Sequence, residues 1–141
     1  MKQLKFTIIT MFVLFIATSC KNENKESTNE KSQMQEVLAV HDEVMPKMGT
    51  IGNLISQIDE KIKETDSTET LVNANQDLKD SHKGMMDWMK GFGERFDSDE
   101  ILKGKPLTDE KQRFLDEEEA KVKALRDKMN SSIKNAQELL K

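Results

Sequence analysis

The feature that most constrains the fold is a long and regular spacing of apolar residues. The stripe includes Met34, Val37, His41, Val44, Met48, Ile51, Ile55, Ile58 and Ile62. A spacing of three or four residues places all of these side chains along one face of a helix, which must pack against other helices. Because Pro46 has no backbone N–H, we expect it to kink this helix near Asp42. The alternative is that Pro46 lies in the first turn of a new helix.

A second helix is predicted after a connection near Thr65. Asp66 followed by Glu69 is typical of a capping box at a helix start, and Gly91 with Gly93 predicts the end of the helix. The alternative is that the helix continues for one more turn that includes Phe96. The apolar stripe between these limits contains Leu71, Asn75, Leu78, His82, Met85, Met89 and Phe92, with Met86 and Trp88 beside it.

A third helix is predicted after a connection over residues 97–107, with Thr108 as its N-cap. It runs to about Leu140, and its stripe contains Leu115, Glu118, Val122, Leu125, Met129, Ile133, Ala136 and Leu140. Two ion pairs one helical turn apart, Glu117–Lys121 and Glu119–Lys123, are expected on its solvent side. Short connections favour antiparallel neighbours, so residues 33–140 are predicted to form an all-α, antiparallel three-helix up-down-up bundle with long helices. A dimer of long hairpins would satisfy the same stripes, so oligomerisation stays open.

The segment before these helices has a different composition. Lys2 and Lys5 precede an apolar run over residues 6–17, which is shorter than the roughly 20 residues that a membrane span needs. A basic start, a short apolar run and small residues before a cleavage point are typical of a secretory signal. The small residues here are Ala17, Thr18 and Ser19, and the only cysteine of the chain, Cys20, follows them.

This pattern resembles the lipobox of bacterial lipoproteins, although Ala17 replaces the usual leucine. The resemblance implies a signal peptide over residues 1–19 and acylation of Cys20, which becomes the new N-terminus. Lys21, rather than an aspartate, follows the cysteine; by the family's sorting rule this implies the outer membrane, where the source has one. Residues 21–32 contain no apolar side chain, so residues 20–32 are expected to form a lipidated, disordered tether.

Charge and side-chain chemistry exclude several classes of function. Removal of residues 1–19 takes away two lysines and no acidic residue, which leaves 20 basic and 26 acidic residues and a formal charge of −6. An acidic domain of this kind is not expected to bind nucleic acid, which needs a basic surface. No nucleophilic arrangement is visible, since lipid consumes Cys20, and no Gly-rich phosphate loop follows a strand. We therefore expect a protein that is not an enzyme.

One pair of motifs could bind a metal. The chain contains two histidines, and each opens an H-x₃-M-x₂-M octapeptide; the candidate ligands are His41, Met45, Met48, His82, Met86 and Met89. Residues at positions i, i+4 and i+7 share one helix face. In a hairpin that turns near residue 65, His41 faces Met89, Met45 faces Met86 and Met48 faces His82. Gly49 and Gly84 flank this zone, which suggests that the two backbones approach closely there.

Thioether and imidazole ligands together favour Cu(I), and Ag(I) is the other candidate. The set of His, Met and a nearby Trp88 resembles the ligands of periplasmic copper chaperones, whose folds are different. The competing interpretation is structural, because methionine is a flexible filler of helix cores.

Two further resemblances bear on function. The octapeptides resemble segments of small, uncharacterised helical envelope lipoproteins that carry the label "viral A-type inclusion protein", which implies no mechanism. Residues 107–111 (LTDEK) resemble the LTxxQ motif of Spy/CpxP-type periplasmic chaperones, with Lys111 in place of the glutamine.

The sequence therefore favours a membrane-anchored, non-catalytic binding module whose envelope protein partner is not identified. A copper-binding protein is the alternative hypothesis, and a periplasmic chaperone is the third.

Overall fold

The computed structural model describes residues 32–64 and 69–141, and every regular element in these ranges is an α-helix. The helices are α1 (Gln33–Val44), α2 (Lys47–Glu64), α3 (Glu69–Arg95), α4 (Ser98–Leu102) and α5 (Asp109–Leu139). The predicted all-α class is confirmed for this part of the chain. The predicted signal peptide, the acylated Cys20, the tether apart from Ser32, and Asp66 of the second predicted cap lie outside the described residues.

Helix α1 begins with a capping box at Ser32. The Ser32 hydroxyl accepts a hydrogen bond from the backbone N–H of Gln35 at 3.3 Å, and the Gln35 side chain accepts one from the backbone N–H of Ser32 at 3.0 Å. These bonds satisfy N–H groups that have no partner inside the helix. They fix the point at which the chain enters the helical domain.

The first predicted helix is divided into α1 and α2 at Met45–Pro46, so the prediction of one kinked helix is wrong. The backbone N–H of Met45 still donates to the carbonyl of His41 at 3.0 Å, but the next residue is proline and has no N–H to donate. The N–H of Met48 instead reaches the carbonyl of Met45 at 3.1 Å, a bond that spans only three residues. The alternative prediction, a new helix near Pro46, matches the start of α2 at Lys47.

Helix α3 continues through Gly91 and Gly93 to Arg95, so the predicted end at the glycines is wrong, and the alternative of one more turn towards Phe96 matches the observed end. The rings of Phe92 and Phe96 lie 4.9 Å apart between centroids, and both residues are buried. Burial of these aromatic side chains outweighs the roughly 1 kcal/mol that each glycine costs within a helix.

The predicted connection over residues 97–107 contains the short helix α4. Asp97 caps it by accepting hydrogen bonds from the backbone N–H groups of Asp99 and Glu100, both at 3.0 Å. The Glu100 side chain accepts the return bond from the backbone N–H of Asp97 at 2.8 Å. The sequence analysis treated all of residues 97–107 as a connection, so this cap and the helix that follows it were not predicted.

Helix α5 begins as predicted, since the Thr108 hydroxyl accepts a hydrogen bond from the backbone N–H of Lys111. The predicted Glu119–Lys123 ion pair is present. The predicted Glu117–Lys121 pair is not formed. Glu117 binds the Arg95 guanidinium at 2.7 Å, and Lys121 binds Glu118 at 2.8 Å. Arg95 and Glu118 also pair, at 3.0 Å, so an ion pair between helices replaces one within α5.

The helices pack around one core to which α1, α2, α3 and α5 all contribute. The most deeply buried side chains are Val37, Val44, Ile51, Ile58, Leu78, Ser81, Met85, Leu115, Val122 and Met129. Two hydroxyls, those of Ser81 on α3 and Ser132 on α5, meet at 3.0 Å inside this core. Each hydroxyl can also donate to a carbonyl of its own helix, Ser81 to Asp77 at 2.7 Å and Ser132 to Lys128 at 2.8 Å, so both buried hydroxyls are satisfied. Neither serine belongs to a predicted stripe.

None of the helices in residues 32–64 and 69–141 has both the length and the apolar character that crossing a bilayer requires.

Candidate functional site

The two octapeptides have different backbones. The first extends over the break between α1 and α2, with His41 in α1, Met45 in the turn and Met48 in α2. The second lies entirely within α3. The first motif is therefore not one continuous helical face, as the i, i+4, i+7 argument had assumed.

Burial separates the six candidate ligands. His41, Met45, Met48, His82 and Met89 are partly buried, whereas Met86 is 50% exposed. The neighbouring Met85 is completely buried. A ligand at the middle of a site enclosed between two helices should be buried, so the exposure of Met86 argues against the predicted six-residue arrangement.

His41 and Met89 do lie together, as the hairpin register predicted. They line a shallow hollow of about 210 Å³ with Leu38, Trp88, Phe92 and Ile101. We call this the His41 groove. The predicted His41–Met89 pair thus lines one hollow, whose wall includes the only tryptophan of the chain.

Aromatic contacts hold the His41 groove in shape. The centroids of the His41 and Trp88 rings are 5.7 Å apart, and Trp88 stacks on Phe92 with 4.9 Å between centroids. His41 Nδ1 lies 3.0 Å from a carboxylate oxygen of Asp42. This contact occupies Nδ1 and leaves Nε2 as the ring nitrogen that can bind a metal ion. A carboxylate on the other ring nitrogen makes an imidazole a better metal ligand.

His82 is in a different situation. Within the described ranges, the His82 side chain makes no hydrogen bond, ion pair or ring contact. Within these ranges there is also no group of three or more His, Cys, Asp or Glu side chains placed to hold a metal ion. A metal site here would therefore depend on methionine sulfur.

The expectation that Gly49 and Gly84 mark a close approach of the first two helices is wrong. A Cβ built on Gly49 would have no atom within 4 Å. A Cβ on Gly84 would lie 2.8 Å from Cδ2 of Leu125, which belongs to α5. The close approach therefore involves α3 and α5, and it is independent of the octapeptide pairing.

A second hollow, of about 420 Å³, lies between α3 and α5. Its lining includes Gly84, Trp88, Glu118 and Leu125, and we call it the Trp88 groove. Trp88 thus contributes to the walls of both grooves, and its indole Nε1 is buried without a hydrogen-bond partner in the described part of the chain. The sequence placed Trp88 beside the second stripe, but it gave no sign of the position of this side chain between two surface hollows.

The segment that resembles a chaperone motif serves in capping and ion pairing. Thr108 is the N-cap of α5, and Lys111 Nζ donates to the buried Glu100 carboxylate at 2.6 Å. Lys111, which departs from the chaperone pattern, thereby connects α4 to α5.

No protein-family model matches the chain. Searches of the curated proteins and of the solved structures likewise find no match.

Proposed function

We propose that this chain is a lipid-anchored protein of the bacterial cell envelope whose helical domain is a non-catalytic binding module. The observation that carries the proposal is the position of Cys20, the only cysteine, directly after an apolar run and three small residues. Each buried CH₂ of an acyl chain contributes about 0.8 kcal/mol, and two or more chains give stable attachment. Such a protein acts where it is tethered.

The two grooves support the binding role. Both are open hollows with largely apolar walls and a few polar groups, which is typical of surfaces that accept a ligand or a partner. Trp88 contributes to both, and tryptophan is among the residues that most often dominate the energy of an interface. The partner is an envelope protein that the sequence does not name.

For the arrangement of the helices we infer the up-down-up bundle, in which α1 and α2 together act as the first helix. Antiparallel α3 and α5 are supported by the Ser81–Ser132 and Arg95–Glu118 contacts, since residue numbers fall on one helix as they rise on the other. A first helix parallel to α5 is supported by two further bonds. Gln33 donates to Asp116 at 2.9 Å, and Lys47 donates to Asn130 at 2.7 Å.

The anchor is tested by blocking the lipoprotein signal peptidase with globomycin. We expect the precursor to accumulate at its full length, and we expect acyl-chain labelling to depend on Cys20. Ser19→Ala is the matched control, because it keeps a small residue before the cleavage point and should still be processed. A Cys20→Ala protein that is fully processed and remains in the membrane fraction would show that the anchor is wrong.

Copper binding is the second candidate, and the specific observation in its favour is the His41 groove. An imidazole with a free Nε2 and a methionine thioether line the same hollow, and both are ligands that Cu(I) prefers. The indole ring of Trp88 forms part of the wall and could contact a bound cation through its face. The copper hypothesis is therefore tested first for a site with two protein ligands, His41 and Met89, before the site with six.

Competition between the acylated protein in detergent and a chromogenic Cu(I) chelator tests this candidate. For the groove site we expect His41→Ala and Met89→Ala each to weaken Cu(I) binding by about tenfold or more, equivalent to about 1.4 kcal/mol. His82→Ala and Met86→Ala are the matched controls and should leave affinity unchanged. An equal loss with His82→Ala would restore the six-residue site, and no Cu(I) binding by the unmodified protein would eliminate both forms.

A further inference from the structure

Among the residues that the structure describes, one large apolar side chain is exposed far more than the others. Leu102, the last residue of α4, is 77% exposed, whereas the next most exposed, Met86 and Val72, are 50% and 48% exposed. A single exposed leucine needs no explanation in itself. Leu102 is of interest because of its position relative to the point where the chain enters the domain.

Leu102 lies near the end of the domain at which the chain enters. Ser32, the cap of α1, lines one hollow together with Gly104, Lys105 and Leu107 from the connection that follows α4. The twelve residues that separate Cys20 from α1 span about 20 Å when flexible. A lipid anchor at Cys20 would therefore hold this end of the domain next to the membrane.

The segment that carries Leu102 is tied down on both sides. Lys105 binds the cap residue Asp97 at 2.9 Å, and Lys111 of α5 binds Glu100 at 2.6 Å. The hydrogen bond from Lys105 holds the pKa of the Asp97 carboxyl at about 2, so this pair stays ionised at neutral pH. Gly104 turns the chain with a φ of +69°, which only glycine adopts easily. Leu102 thus projects from a preorganised base, and burying it requires little further ordering.

Neither the segment that precedes α1 in the sequence nor the segment that carries Leu102 is strongly basic. Residues 21–31 contain three lysines and three glutamates, and residues 97–105 contain three acidic residues and two lysines. Neither segment offers the cluster of basic residues by which proteins bind anionic membranes. A contact here would be driven by the apolar side chain and would depend little on salt.

We propose that α4 and residues 103–107 form the membrane-facing end of the domain, with Leu102 inserted at the level of the lipid headgroups. This inference rests on the proposed anchor at Cys20. One leucine cannot hold a free protein on a bilayer. On an anchored protein the contact becomes intramolecular, and a weak interaction then suffices to orient the domain.

The single cysteine makes the test clean, because acylation of Cys20 leaves an introduced cysteine as the only free thiol. The reporter is Ser98→Cys, an exposed position one turn before Leu102 on the same face of α4, labelled with an environment-sensitive dye. The matched control is the same dye on Val72→Cys, which is close to the start of α3 and about 35 Å along that helix from Arg95. Both acylated proteins are reconstituted in vesicles of phosphatidylethanolamine and phosphatidylglycerol that contain a spin-labelled lipid.

We expect the dye at residue 98 to shift to the blue and to be quenched by the spin-labelled lipid, with the same result at low and high salt. The dye at residue 72 should remain in water. Adding Leu102→Asp to the Ser98→Cys protein should abolish the shift and the quenching, which shows that the leucine, and not the dye, makes the contact.

Three results would overturn the inference. If both dyes report water on a protein that sediments with the vesicles, the anchor is right and the membrane-facing end is wrong. Equal quenching at residues 72 and 98 would mean that the domain has no preferred orientation. If the thiol of Cys20 itself reacts with the dye and the protein stays outside the vesicle fraction, the anchor is wrong and the inference fails with it.

Discussion

The two octapeptides share one residue pattern but have different structures. In the first, the helix stops at Met45–Pro46, and His41, Met45 and Met48 are all partly buried. In the second, α3 passes through without interruption, and half of the Met86 surface is exposed. Identical spacing of His and Met therefore does not produce identical environments.

The two octapeptides differ because the residues between the His and Met positions determine which side of a helix is buried. In α3 the side chains of Met85 and Trp88 face the core, and this rotates Met86 towards solvent. In the first octapeptide, the proline ends one helix and a new helix begins directly after it. Met45, which lies at this break, packs against the core. A motif must therefore be read together with the residues between its members.

The largest expected effect is on the stability of the second octapeptide. Met85→Ala removes a completely buried side chain and should lower the free energy of unfolding by about 2–5 kcal/mol. Met86→Ala, one residue away, should change it by about 0.5 kcal/mol or less. Urea denaturation followed by circular dichroism measures both. Equal losses for the two variants would mean that both methionines are in the core, and the contrast between the octapeptides would disappear.

A smaller effect is expected at the glycines. Gly49→Ala meets no neighbouring atom and should be neutral or stabilise the protein by up to about 1 kcal/mol through helix propensity. Gly84→Ala gains the same propensity, but its Cβ forces the Leu125 side chain to move, so we expect no net stabilisation. Thermal unfolding of the two variants side by side measures the gap. A Gly84→Ala protein that is as stable as the Gly49→Ala protein would show that Leu125 moves without cost.

The smallest effect is expected for Pro46→Ala. Alanine supplies the N–H that the carbonyl of Asp42 lacks, so α1 and α2 should join into one helix with a change in unfolding free energy of about 1 kcal/mol or less. Amide hydrogen exchange at Lys47 should slow relative to the parent protein, and the new amide at residue 46 should be protected as in a helix. If these amides exchange as fast as those of a turn, packing around Met45, rather than the proline, maintains the break.

Much of the fold could be predicted because it depends on periodicity. The start of α5 at Thr108 followed from a cap that uses neighbours in sequence, and the stripes on α1, α2 and α5 contain most of the residues that are buried. What could not be predicted depends on partners distant in sequence. Ser81 and Ser132 meet only because α3 packs on α5, and Glu117 binds Arg95 rather than Lys121.

The candidate site was predicted in part for the same reason. The register of an antiparallel hairpin places His41 near Met89, and both line one groove. The exposure of Met86 depends on how far α3 is rotated, which its packing against α5 determines. Neither octapeptide contains information about that third helix.

The break at Met45–Pro46 has a mechanical consequence. Under the proposed anchor, a force that pulls on Cys20 would enter the helical domain at Ser32 and load α1, a helix of 12 residues that packs on α5. Because the proline interrupts the backbone hydrogen bonds between α1 and α2, we expect α1 to unravel before α2, although this removes Val37 and Val44 from the core. Those 12 residues, once extended, add about 40 Å of reach at roughly 3.3 Å per residue. On an anchored protein we therefore expect Pro46 to confine this unravelling to α1, so that a pull reaches α2 only after α1 has extended.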